Sequence, residues 1–189
     1  MSEKADMRAK MLARRKARHA DAPDMAANAL AAFATEISDT PRAIAAYLPM
    51  GSEIDPRPLM AALATAGHEL CLPYCAEIPA PMRFRAYDLT DELEPDGQGI
   101  DAPSARAREV IPDIVLLPLL GFDGRGHRLG RGGGFYDRTL AALRREKPIA
   151  AIGLAYAAQR LDICPIEPHD EPLMAVLTET GLTRFDEAV

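Results

Sequence analysis

The residues from Asp113 to Arg145 constrain this fold more than any others. Asp113-Ile114-Val115-Leu116-Leu117-Pro118 is the most strongly apolar run in the chain. A short apolar run of this kind suits a central strand covered on both faces. It feeds a glycine- and arginine-rich stretch, Leu119-Leu120-Gly121-Phe122-Asp123 through Arg128-Leu129-Gly130-Arg131-Gly132-Gly133-Gly134-Phe135-Tyr136-Asp137. Helical sequence then runs from Tyr136 to Arg145, and another strand follows from Ile149 to Leu154. Strand, turn, helix and strand in succession read as an α/β unit.

The glycines let backbone N–H groups approach a ligand closely, and the following helix N-terminus favours negative charge. Arg128 and Arg131 add fixed positive charge, so the stretch suits phosphate. Asp137 adds a carboxylate where nucleotide-bound Mg²⁺ would want one. Two common nucleotide patterns are excluded, since no G-x-x-x-x-G-K-[ST] occurs and G-x-G-x-x-G fails at Phe135. A plain flexible linker would be rich in Ser and Gly. Here Arg128, Leu129, Arg131, Phe135 and Tyr136 are interleaved, which implies specific contacts.

The same alternation extends through the chain. Lys4 to Ser38 reads as helix interrupted near Pro23, with Met7, Met11 and Leu12 forming a partial apolar face. Arg42 to Leu48, bounded by Pro41 and Pro49, reads as a buried strand. Asp55-Pro56 opens a helix through Leu59, Met60 and Leu63 to a stop at Gly67, and Glu69 to Pro73 returns as a strand. Met82 to Tyr87 alternates as a strand, Leu89 to Ala107 reads as a long polar loop, and Met174 to Thr178 is the last expected strand. The prediction is an α/β fold in which helices cover a mainly parallel sheet. Ligands should then gather at the carboxyl ends of the strands, after Leu48, Pro118 and Leu154.

Composition narrows the function. A chain of 189 residues with 48% hydrophobic and 26% charged residues fits one ordinary globular domain spanning residues 1–189. Cys71, Cys75 and Cys164 form no C-x-x-C pair and suit reduced thiols, and their spacing with His68 is not a usual zinc pattern. The net charge of −6 argues against general nucleic-acid binding. Basic islands at Arg8 to Arg18 and Arg125 to Arg131 instead suit small polyanions. No stretch approaches the ~18 apolar residues of a membrane span. The Arg-rich N-terminal segment contains Glu3 and Asp6 and lacks an apolar core, so a cytoplasmic location is the expectation. A monomer is expected as well.

The run from Gly121-Phe122-Asp123 through Arg128 to Asp137 resembles the signature of the 5-formyltetrahydrofolate cyclo-ligases, also called methenyltetrahydrofolate synthetases. Tyr47-Leu48-Pro49-Met50-Gly51-Ser52-Glu53-Ile54 looks like that family's folate segment. Glu167-Pro168-His169-Asp170-Glu171-Pro172 with Val176-Leu177-Thr178-Glu179 looks like its C-terminal segment, and Lys4 and Arg8 match its N-terminal nucleotide contacts.

The resemblance implies a three-layer α/β/α sandwich with a partly mixed sheet. It also implies ATP-dependent closure of 5-formyltetrahydrofolate to 5,10-methenyltetrahydrofolate. It assigns ATP to Lys4, Arg8, Arg128, Leu129, Gly130, Arg131, Gly132, Gly133, Gly134, Phe135 and Tyr136. Folate falls to Leu48, Glu53, Arg131, Gly132, Gly133, Gly134 and Phe135, and Mg²⁺ to Asp137 and Asp170. Arg128, Arg131 and Tyr136 become the catalytic group, with His127 and His169 as neighbours.

Bland readings stand beside these. Residue type alone favours solvent exposure for Glu53, a core role for Tyr136, a helix-start role for Asp137 and a turn role for Asp170. The chain also departs from some relatives, which carry lysine where Gly133 stands and tyrosine where Phe135 stands. Two other classes remain open. A phosphosugar isomerase or CoA-transferase-like relative would share the fold without needing ATP. An RNA-binding accessory protein would use the Arg8 to Arg18 helix, although paired stacking aromatics are missing.

Overall fold

In the computed structural model, which describes residues 3–77 and 79–185, α1 (Glu3–Asp21), α2 (Pro23–Ala31) and α3 (Ala34–Ile37) precede the first strand. The break at Pro23 is where the sequence places it, because proline's fixed φ suits a first helical turn and not an interior. A second break is a correction to the sequence reading. Phe33 leaves helical geometry with φ −100° and ψ 11°, and its side chain packs against the core, so tertiary contact overrides helix propensity.

Then follow β1 (Ala43–Ala45), α4 (Arg57–Thr65), β2 (Glu69–Tyr74) and β3 (Arg83–Ala86). The stretch expected to be a loop from Leu89 to Ala107 contains a hairpin, β4 (Leu93–Pro95) and β5 (Asp101–Pro103). After β6 (Ile114–Pro118), the glycine-rich stretch opens with a second hairpin, β7 (Gly121–Phe122) and β8 (Arg128–Leu129), before α5 (Phe135–Leu143). The chain ends in β9 (Ala150–Leu154), a 3₁₀ turn over Ala157–Gln159, β10 (Ala175–Thr178) and β11 (Gly181–Arg184).

Among the described residues the main sheet has seven strands in the order β11-β10-β9-β6-β1-β2-β3. The inner strands pair in parallel, and β3 and β11 add antiparallel edges, which makes the sheet mainly parallel and partly mixed. From the adjacent strands β1 and β6 the chain winds outward in opposite directions. That makes their boundary a topological switch point, where open α/β sheets hold ligands beyond the strand carboxyl ends.

Alternation along β6 divides its side chains between two cores. Ile114 and Leu116 join Leu30, Leu59, Met60 and Leu63 under α2 and α4. Val115 and Leu117 join Phe84, Leu140 and Leu143 under α5. Leu116 is fully buried, and truncating it to Ala would cost about 2–5 kcal/mol. Helix α1 lies in neither layer. Its Met11 packs against Leu120, Leu129 and Cys164, laying the helix across the loops that leave the strands. Among the described residues, no helix is long and apolar enough to cross a membrane.

Candidate active site

At the switch point a cavity of about 590 Å³ opens beyond the carboxyl ends of β1, β2 and β6, within the usual range for small-molecule clefts. Tyr47, Leu48, Met50 and Glu53 enter it after β1, Cys75 after β2, and Leu119 after β6. Lys4, Arg8 and Arg15 come from α1, while Gln98, Ile100 and Asp101 come from the tip of the β4–β5 hairpin. Gly130 to Asp137, with Arg128, form one wall, and Glu167, His169 and Asp170 complete it. The structure thus gathers the residues expected at the site, with one exception. Leu129 is fully buried with Met11 and does not line the cavity, because it faces the small core that seats α1.

Asp123 shapes the glycine-rich segment. Its fully buried carboxylate accepts the backbone N–H groups of Arg125 at 2.9 Å, His127 at 3.2 Å and Cys164 at 3.0 Å. Burial would raise its pKa, but these donors and the Arg125 guanidinium outweigh that and hold it below the usual carboxylate value. Further on, Gly134 has φ +63° and serves as the N-cap of α5, a left-handed conformation that suits glycine. A Cβ at Gly133 would lie 2.8 Å from the Phe135 ring, so Gly133 and Phe135 fit each other as a pair. A side chain at position 133 would require that ring to move.

The cations expected to meet phosphate already have protein partners. Buried Arg128 donates to Asp137 and to the carbonyl of Glu171. Desolvation lowers its pKa, with Asp137 and then Asp170 opposing. Asp137 also accepts the Glu171 N–H at 3.2 Å. Lys4 lies 3.3 Å from Asp170 and 3.2 Å from Glu167, and Arg8 donates to the Gly130 carbonyl at 3.1 Å. Asp170 further accepts the Glu167 N–H at 2.8 Å. One ligand atom each from Glu167, His169 and Asp170 falls within 4.8 Å of the others. Two of these are carboxylates, the oxygen chemistry that Mg²⁺ prefers, so the residues here fit that ion. Glu167 had no role in the sequence reading, although it lies within the run that marked Asp170.

Glu53 corrects the expectation drawn from residue type, since it is only 4% exposed. Its Oε2 accepts the Met50 N–H at 3.0 Å, and its Oε1 lies 3.6 Å from Arg15 and 3.7 Å from Arg131. Arg15, at 2% exposure, was missed because Arg14-Arg15-Lys16 looks like a solvated basic run. Tyr136 packs against the α5-side core as well as lining the cavity. Burial, and then the negative charge of Glu53, raise its pKa and keep the phenol protonated. Leu48, Leu72, Pro73, Met82 and Phe135 supply an apolar wall. One cavity therefore joins a set of cationic side chains, an acid cluster and a buried carboxylate beside an apolar surface.

Comparison with known proteins bears on this arrangement. The model of the 5-formyltetrahydrofolate cyclo-ligase family matches residues 1–179. The chain is 36% identical over 140 residues to the 5-formyltetrahydrofolate cyclo-ligase of Escherichia coli K12, covering 71% of this chain and 76% of that protein. It is 33% identical over 159 residues to the protein of the same name from Mycolicibacterium smegmatis, covering 80% and 81%. In fold it is similar to the solved 5,10-methenyltetrahydrofolate synthetase of Aquifex aeolicus, with a TM-score of 0.77 at 23% identity over 100% of this chain and 95% of the other.

Proposed function

This chain belongs to the 5-formyltetrahydrofolate cyclo-ligase family and is an enzyme, and we propose that it uses ATP to close 5-formyltetrahydrofolate to 5,10-methenyltetrahydrofolate, releasing ADP and phosphate. The observation that carries this reading is the single cavity in which the glycine-rich wall and its cations adjoin buried Glu53 and the apolar surface.

A formamide oxygen is a poor leaving group, so closure needs that oxygen activated first. In the proposed sequence the formyl oxygen attacks the γ-phosphorus and ADP departs. N10 then attacks the formyl carbon of the resulting iminium phosphate and loses its proton, and the C–O bond breaks to release phosphate. Catalysis is mostly positioning and charge stabilisation.

Lys4, Arg8, Arg128, Arg131 and the backbone amides from Gly130 to Gly134 hold the phosphates. As phosphate oxygens take over the Arg128 guanidinium and the Lys4 ammonium, Asp137 and Asp170 are released from their present partners. Those two carboxylates would hold Mg²⁺, which when bound neutralises phosphate charge. Glu53 accepts N–H donors of the folate ring, Leu48 and Phe135 pack against it, and the protonated Tyr136 offers its O–H beside the reacting oxygens. The reading carries with it a cytoplasmic monomer, a setting that its buried free thiols suit.

Purified protein with ATP, Mg²⁺ and 5-formyltetrahydrofolate should develop methenyl-folate absorbance, with one ADP formed per product. Product without ATP, or ATP cleavage indifferent to folate, would overturn the reading.

A further inference from the structure

We propose that Arg15 is a positioning residue for the folate substrate, acting through Glu53; this rests on the folate reading of the cavity. Lys4, Arg8, Met11 and Arg15 are spaced four, three and four residues apart, which puts them on one stripe of α1. Met11, fully buried, seats that stripe against Leu120 and Leu129.

At the end of the stripe the Arg15 guanidinium reaches the loops that leave β1 and β6. Its Nε donates to Ser52 Oγ at 3.2 Å, and one terminal nitrogen donates to the Leu119 carbonyl at 3.2 Å and lies 3.6 Å from Glu53 Oε1. The fork therefore spans the switch point and faces the carboxylate that serves the substrate.

Glu53 has one oxygen fixed by the Met50 N–H, so Arg15 and Arg131 decide where the other points. The two cations differ. The Arg131 side chain is 56% exposed and lies on the wall that changes partners when phosphate arrives, whereas Arg15 is enclosed and anchored on both loops. A buried guanidinium carries a heavy desolvation cost, which good geometry and several acceptors must offset. Surface-like placement would have served a helix that only needed solubility. Burial here ties α1, which carries Lys4 and Arg8 to the nucleotide side, to the group that orients folate.

The test is a steady-state series of wild type, Arg15→Met, Arg15→Lys, Glu53→Gln and the Arg15→Met/Glu53→Gln double variant, with each KM measured separately. Arg15→Met should raise the folate KM about tenfold, the scale of losing a charge-assisted contact that orients a ligand-binding group, while the ATP KM stays within about twofold. Arg15→Lys, which keeps the charge but not the fork, should restore part of that loss. Because Arg15 acts through Glu53, the double variant should bind folate within about twofold of Glu53→Gln alone.

A merely structural role would raise both KM values together or make the double variant's loss the product of the singles, and either result overturns the proposal. Should Arg15→Met fail to fold, as judged by circular dichroism, Arg15→Lys alone and combined with Glu53→Gln carries the same comparison. Wild-type protein that neither binds nor closes 5-formyltetrahydrofolate would bring down the folate reading. Active wild type with Arg15 variants of unchanged folate KM would bring down the Arg15 assignment alone.

Discussion

The two ends of the central sheet both carry ion pairs, and the pairs differ in kind. At the amino end Lys147 donates to Asp113 Oδ1 at 2.9 Å and to the Ile111 carbonyl at 2.8 Å, while Asp113 Oδ2 accepts the Ala43 N–H at 2.9 Å. Arg108 pairs there with Glu69, and both side chains are largely exposed. These pairs fasten neighbouring strand starts. At the carboxyl end partners are shared: Glu53 stands between Arg15 and Arg131, and Lys4 between Asp170 and Glu167. Sharing lets an incoming anion draw Arg131 off Glu53 without leaving that acid bare, while one anion at Lys4 frees two acids together. Burial raises the strength of whatever contact replaces it. Similar residue types therefore build staples at one end of the sheet and shared, exchangeable pairs around the candidate site at the other.

The largest effects should fall at the buried end. Arg128→Ala should lower kcat by about 10²–10³-fold, the scale of losing one preorganised electrostatic contact. Arg131→Ala should cost less, because its side chain is mostly exposed. Turnover measured alongside melting temperature separates chemistry from folding. Equal losses would show that burial does not rank these cations, and changes under a few-fold in both would return them to surface charge.

Next come the acids. Asp137→Asn and Asp170→Asn should each raise the Mg²⁺ concentration needed for half-maximal rate. The double variant should be less impaired than the product of the singles if one ion is shared. Mn²⁺ binding followed by electron paramagnetic resonance gives a readout independent of turnover. Unchanged metal affinity in folded variants would remove the metal assignment.

The contrast also explains what was legible in the sequence. Ile114–Pro118 and Ala150–Leu154 announced themselves because central parallel strands are apolar on both faces. The two-residue strands β7 and β8 carry no periodicity, and their hairpin is set by the buried Asp123 carboxylate, whose partners are mostly backbone groups. Strand order was out of reach because pattern gives elements and not adjacency. The cavity lining was legible where it lay in one run, as from Gly130 to Asp137. Arg15 was missed, and residue type alone put Glu53 in solvent, because burial belongs to tertiary packing and nothing local distinguishes Arg15 from Arg14.

Asp123 sharpens the comparison, being an acid of the glycine-rich segment that behaves as a staple. Asp123→Ala would strand several buried N–H donors and should destabilise by about 3 kcal/mol. That corresponds to roughly 6–12 °C in Tm for a chain of this size. The folded pKa is depressed, so the carboxylate's contribution is fully present above the unfolded value of about 4 and is lost as pH falls through the folded value. Melting curves from pH 7 to pH 3 should show the gap between wild type and variant narrowing at the acid end. A gap independent of pH would assign the loss to packing instead of charge.

The smallest effect should come from Lys147→Ala, at the exposed end. Desolvation would raise the Asp113 pKa, but the Lys147 ammonium and the Ala43 N–H outweigh it and leave it depressed, so this pair too contributes above about pH 4 and fades in acid. Both side chains are about one-third exposed, and such a pair is worth about 0–1 kcal/mol in water, or at most ~4 °C in Tm. Asp113 keeps its bond from the Ala43 N–H in the variant, so the ends of β1 and β6 stay joined. Added salt should shrink the difference further, because solvent-facing charges are screened and enclosed ones much less so. Folate and ATP KM should be unchanged, since Lys147 lies at the opposite end of the strands from the cavity. A salt-insensitive loss of several kcal/mol, or a shifted KM, would show the amino-end pair to be coupled to the site and would erase the distinction between the two ends.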